Sequence, residues 1–282
     1  MRLCVIVGLL LGLVGLASAD EADQHYHRGL QFKQQGRIDD AIHEFEAAVG
    51  LRPDFGAAEF SLGVLYKSKN LLEAAVDHLE RAAQLTPASG EAHTSLGLTY
   101  YKLGRLDEAL KTLERACALS PKDIAAHQAL GVIYRQRKDY PKALQHLEKA
   151  VELAPTDAAA LSNLGVAYRH AGRLEDAEKL LRQAITLQPD LADTHFNLGT
   201  VYRRERKSQE AIAEYQKAVT LQPSLAPAYY DLGLLLAEQK RNAEAVAALE
   251  KYLGLIAGSN AKEAESVQRR IKELGGSDPV QR

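Results

Sequence analysis

Pro53, Pro87, Pro121, Pro155, Pro189 and Pro223 each stand 34 residues after the last. Gly29, Gly63, Gly97, Gly131, Gly165, Gly199 and Gly233 keep the same step, and so do Ala41, Ala75, Ala109, Ala143, Ala177, Ala211 and Ala245. A fixed period of this size, held without insertion or deletion, is the signature of stacked supersecondary units that bury their apolar faces only against their neighbours. The register divides the chain into seven units: 22–55, 56–89, 90–123, 124–157, 158–191, 192–225 and 226–257.

Each unit carries two helical stripes. In the third, Leu96, Tyr100 and Leu103 fall at i, i+4 and i+7, and Leu110, Leu113 and Cys117 repeat that spacing. Gly104 breaks the chain between the stripes, as Gly36 and Gly172 do elsewhere. Acidic pairs (Asp39-Asp40, Asp107-Glu108, Glu175-Asp176) open the second helix, where they suit its positive end. Pro141 sits at the same place, where a missing N–H costs nothing. The 34-spaced prolines then stop the second helix. The expected architecture is all-α, a solenoid of seven helix-turn-helix repeats.

The columns together resemble the tetratricopeptide repeat family, and that resemblance implies a right-handed sense for the solenoid. The fifth unit shows the pattern in full, with Leu164-Gly165 and Tyr168 in its first helix and Ala177, Ala184 and Pro189 in and after its second. The end units depart from it. The first has His25 and Arg28 where large apolar residues are usual; the last has Leu236 for Tyr, Tyr252 for Ala and Ala257 for Pro. After the repeats, Asn260 and Glu263 have capping-box spacing, and Val267, Ile271 and Leu274 form one apolar stripe. Residues 259–275 are read as a helix that closes the open end, and 276–282 as a disordered tail.

The first 19 residues belong to none of this. Arg2 precedes an uncharged apolar run from Leu3 to Leu16, then Ala17-Ser18-Ala19, the order of a cleaved signal peptide. A membrane anchor retained at residues 3–19 is the competing reading, at the short limit of what spans a bilayer. Export places the mature chain in the periplasm or outside the cell. Cys117 is then its only cysteine, so packing alone must stabilise it, and its neighbours suggest a buried thiol.

Lys and Arg total 35 against 37 Asp and Glu, for a net charge of −2, which disfavours nucleic acid as a bulk partner. His25, His93, His127 and His195 share one repeat column, and His78 and His146 another, so they are products of duplication and not a convergent site. No zinc spacing, phosphate-binding glycine loop or nucleophile elbow is present. The expectation is a non-enzyme without cofactor or metal.

The variable positions lie on the other face of the first helix. The residue after the aromatic is Lys33, Lys67, Tyr101, Arg135, Arg169, Arg203 or Ala237, with Lys102 and Arg204 close beside the column. Arg203 shares a face with Thr200 and Phe196. In the family that the chain resembles, this face lines a concave groove in which extended peptides bind. Tyr26, Phe60, Phe196 and Tyr230 add aromatics to it. Asn163 and Asn197 occupy a column that, in repeats similar to those of protein O-GlcNAc transferase arms, contacts the peptide backbone. The resemblance implies a protein-interaction scaffold, with a cationic groove suited to an acidic segment, because the guanidinium fork takes a carboxylate bidentately. A column of charge is also what a merely solvated face looks like. Self-assembly of solenoids, and recruitment of substrate to a separate enzyme such as a glycosyltransferase, are the rival functions.

Overall fold

The computed structural model describes residues 20–257 and 261–275. The segment 1–19, Asn260 and the tail 276–282 lie outside the described residues. Among those described there are fifteen helices and no strand. Helix α1 spans residues 20–34, followed by α2 (Ile38–Leu51), α3 (Gly56–Ser68), α4 (Leu72–Leu85), α5 (Gly90–Lys102), α6 (Leu106–Leu119), α7 (Ile124–Gln136) and α8 (Tyr140–Leu153). Then come α9 (Ala158–His170), α10 (Leu174–Leu187), α11 (Ala192–Arg204), α12 (Ser208–Leu221), α13 (Ala226–Glu238), α14 (Asn242–Leu255) and α15 (Ala261–Glu273). Odd-numbered helices up to α13 are the first helices of the repeats and even-numbered ones the second. None is long and apolar enough to cross a membrane among the described residues. The chain forms two compact units, residues 1–133 and 134–282.

Within each unit, hairpin partners pack face to face, and each second helix packs on the next first helix. The repeated glycine lets the hairpin close. A Cβ at Gly63 would stand 2.5 Å from Leu79 Cγ, and one at Gly199 would stand 2.7 Å from the Tyr215 ring. The 34-spaced alanines have no exposure at all, because they fill the other side of that approach. Tyrosines tie neighbouring repeats. The hydroxyl of Tyr66 donates to Glu46 at 2.6 Å and that of Tyr168 to Glu148 at 2.7 Å, each across 20 residues. Tyr100 donates to Glu80 in the same way. Burial, then the carboxylate, pushes Tyr66 and Tyr168 up to about 12.

The second helices start on an unexpected device. Their N-cap is a cation in most repeats, without side-chain capping in α2, α6, α10, α12 and α14. That cation instead lies over the aromatic five residues back, as Arg37 does over Phe32, Arg105 over Tyr100 and Arg173 over Tyr168, at 4.1–4.6 Å. It also pairs with the acid three residues on, Arg37 with Asp40 at 2.7 Å and Arg173 with Asp176 at 2.7 Å.

The turn between the helices is left-handed in every repeat, and glycine supplies it only at Gly36, Gly104 and Gly172. Asn70, Lys138, Arg206 and Lys240 adopt the same positive φ, 58–64°. At Arg206 the hydrogen bonds are those of a Schellman ending, Arg206 N to Arg203 O at 3.1 Å and Lys207 N to Tyr202 O at 2.9 Å. A left-handed residue bearing a Cβ costs about 1 kcal/mol. Arg206→Gly is therefore expected to stabilise the chain by up to about 1 kcal/mol, with Asn70→Gly gaining less because Asn tolerates this region. Urea titrations check this, and a loss of stability in Arg206→Gly would refute it.

Helix α15 closes the end. Val267 and Ile271 are buried against Leu249 and Tyr252, while Lys262, Glu265, Arg269, Arg270 and Lys272 stay exposed. Tyr252, which breaks the alanine pattern, donates to Glu263 of this helix. His25 and Arg28, the departures in the first repeat, both pair with Glu44, at 2.7 and 2.9 Å. Cys117 is half-buried rather than buried; desolvation, followed by the charges of Asp123 and Glu114, raises its thiol to about 11.

Candidate functional site

Because first helices of successive repeats also touch one another (α3 with α5, α9 with α11), their outward residues form one surface within each unit. In the unit of residues 1–133, Lys33 and Lys102 are exposed, while Lys67 and Tyr101 are half-buried. Burial, and then the charge of Lys102, lowers the Lys67 ammonium. Phe60 is half-buried too. Tyr26 does not face a ligand surface freely, since its ring packs on Phe45 and Phe55 with centroids 5.5 and 4.8 Å apart.

The unit of residues 134–282 holds the denser charge. Arg203 Nη1 donates to Asp231 Oδ1 at 3.0 Å and Nη2 to Glu238 Oε1 at 3.2 Å, so the next repeat neutralises it. Burial raises the Asp231 carboxyl, and the Arg203 and Arg169 charges pull it back. Arg169 differs. Its Nε is buried without a hydrogen-bond partner, and no carboxylate lies within ion-pair distance among the described residues. Burial, then the charges of Arg204 and Arg135, lower its guanidinium. Arg204 Nη1 donates to the Arg169 carbonyl at 2.5 Å, which holds the two side chains together. Arg169 Nη2 approaches His170 Nε2 at 3.1 Å, and the His170 ring stacks on Tyr140 with centroids 5.9 Å apart.

The remaining candidates are more occupied. Asn197 Nδ2 donates to its own helix at Asp193 O, 2.7 Å away. Asn163 lines a cavity of about 430 Å³ with Ser162, Asp190, Asp193 and Thr194. Phe196 packs on Tyr215 and Tyr230 on Tyr252, with centroids 5.8 and 5.0 Å apart. His170 was not singled out from the sequence. Its signal is its column, 34 residues before Arg204 and 68 after Lys102.

The fold defines a helical-repeat protein. A family model described as "Cilia and flagella-associated protein 70 C-terminal domain", a tetratricopeptide repeat model, matches residues 17–224, and one described as "Tetratricopeptide repeat" matches residues 195–275. The chain belongs to the tetratricopeptide repeat family. Comparison with curated proteins found no match. Among solved structures, it is similar to the APC/C hetero-tetramer Cut9–Hcn1, with 19% identity, a TM-score of 0.71 and coverage of 87% of this chain. The chain spans only 48% of that one. A tetratricopeptide repeat protein from Parabacteroides merdae matches with 18% identity and a TM-score of 0.69, covering 91% of this chain and 100% of its own. YrrB, described as having an unusual peptide-binding site, matches with 23% identity and a TM-score of 0.56, covering 70% of this chain and 97% of its own.

Proposed function

We propose that the protein is a non-catalytic scaffold of the cell envelope or periplasm, holding an extended segment of another protein along its first-helix face, with an acidic group of that segment at Arg169 and Arg204. The observation that carries this reading is the contrast within one column. Arg203 is neutralised by its own chain, whereas Arg169 keeps its charge unbalanced at a cost in burial. A purely solvated cation has no reason to be half-buried against two like charges. YrrB, of the same fold, is described as a peptide-binding protein, which fits a face of this kind. The exposed charges of α15 disfavour end-to-end stacking as the main activity.

The test is crosslinked capture from the envelope fraction, followed by binding measurements on the captured partner. Arg169→Glu with Arg204→Glu is expected to weaken binding by at least about a hundredfold, because each reversal turns attraction into repulsion. Arg203→Gln is expected to weaken it by less than about threefold, since that charge is already spent internally. Equal binding by wild type and the double reversal sinks the groove reading, and recovery of the chain from the cytosol alone sinks the location.

A further inference from the structure

The next step rests on the reading of this face as a binding surface and names the ligand chemistry. We propose that Arg169 and Arg204, with the imidazole of His170 and in the field of Arg135, form a receptor for a tetrahedral dianion, the phosphoryl group of a phosphorylated serine or threonine in the bound segment.

Three successive first helices, α7, α9 and α11, each supply one arginine, and each of these charges acts on His170. Arg169 and Arg204 have no carboxylate within ion-pair distance among the described residues. Asp231, whose charge reaches Arg169, is engaged by Arg203. A single carboxylate would balance one of these two arginines; a dianion balances both. The donors are also arranged for an oxyanion with several acceptors. Arg204 spends one amino group on the Arg169 carbonyl and keeps the rest of its fork open, and the buried Nε of Arg169 has no partner. Planar guanidinium forks take tetrahedral oxyanions in this manner.

His170 gives the site a second property. Arg169 donates to its Nε2, so that nitrogen is an acceptor and the ring is neutral. His170 is an exposed residue; desolvation of its ring by its neighbours, then the charges of Arg169, Arg135 and Arg204, drive its pKa down to about 4. Stacking on Tyr140 of α8 holds the ring in place. A dianion arriving among the arginines cancels the field that keeps this ring neutral. His170 then takes a proton from solvent, and its Nε2 turns from accepting to donating toward the bound oxygen. Binding of an anion that stays doubly charged is therefore linked to proton uptake and strengthens as pH falls from neutrality toward 5. A phosphoryl group, with its second pKa at about 6, itself takes up a proton over that range.

Sulfate is a suitable probe, since it stays a dianion across that range. With the full chain, adding sulfate is expected to raise the His170 pKa from about 4, followed by the NMR shifts of its ring. Arg169→Ala and the exposed Arg204→Ala should each weaken sulfate binding about tenfold. His170→Asn should abolish the pH dependence of sulfate binding. A second arm uses an acetylated Gly-Ala-Ser-Ala-Gly peptide with its serine phosphorylated, unmodified or replaced by glutamate. Tighter binding of the phosphorylated form by about tenfold over the glutamate form supports the phosphoryl receptor. Equal binding of those two overturns it and leaves the acidic groove standing. Equal binding of all three overturns both, and a His170 ring unmoved by sulfate overturns the site. Sulfate bound without any gain from phosphoserine overturns the peptide as its source.

Discussion

Gly199→Leu is expected to destabilise the sixth repeat so far that α11 and α12 no longer pair, a loss of about 3 kcal/mol or more. A single Cβ here stands 2.7 Å from both Cδ1 and Cε1 of Tyr215 and 3.3 Å from the Ala211 carbonyl oxygen. The ring cannot yield, because Tyr215 is completely buried, and neither can the backbone of α12 without breaking its hydrogen-bond ladder. Three further carbons leave the helices no option but to separate. Because each repeat is stabilised only by its neighbours, the damage should spread to the adjoining hairpins. The control is the opposite substitution in kind. Gly50 also lies in a helix, but nothing approaches within 4 Å of its Cβ position. Gly50→Ala should therefore stabilise the chain by about 1 kcal/mol, the ordinary helix-propensity difference. Guanidinium titrations followed by circular dichroism measure both. Equal stability of Gly199→Leu and the wild type would show that the 34-spaced glycine is not a packing requirement.

That glycine column was legible in the sequence because packing in a repeat protein is itself periodic. The same constraint returns every 34 residues and writes the same letter. The turns were only half legible. Gly36, Gly104 and Gly172 announced a left-handed residue, but Asn70, Lys138, Arg206 and Lys240 adopt it as well, because the hairpin fixes the backbone there whatever the side chain. Ion pairing was the least legible layer. Arg203 and Arg169 are equivalent letters in one column, yet only Arg203 meets carboxylates, 28 and 35 residues onward. Nothing at Arg203 itself encodes this; it depends on Asp231 standing where the two preceding repeats carry Asn163 and Asn197. The binding face is thus a periodic frame carrying aperiodic charges, and the aperiodic part holds the functional information.

One contact position shows how freely that frame exchanges its chemistry. In the first repeat His25 on α1 meets Glu44 on α2 at 2.7 Å; in the second, Glu59 on α3 meets His78 on α4 at 2.6 Å, with the two partners exchanged. The sixth repeat returns to the first arrangement, His195 to Glu214 at 2.6 Å. The fifth places Leu161 and Leu180 at the same positions, packed together in an apolar cluster. Glu59 is the extreme case, a carboxylate with no exposure, held by His78 and by Arg81, whose Nε stands 3.0 Å away without hydrogen-bond alignment. Removing both partners leaves that charge stranded in the hairpin. His78→Ala with Arg81→Ala is accordingly expected to cost about 3–5 kcal/mol. Glu59→Leu with His78→Leu, which copies the fifth repeat, should instead be neutral or stabilising by about 1 kcal/mol, since a buried ion pair is replaceable by apolar packing of similar volume. Urea titrations at pH 7 decide the matter. Wild-type stability in the His78, Arg81 double variant would mean that Glu59 is not buried as a charge at all, and a large loss in the double leucine variant would mean that the hairpin needs the pair for more than filling space.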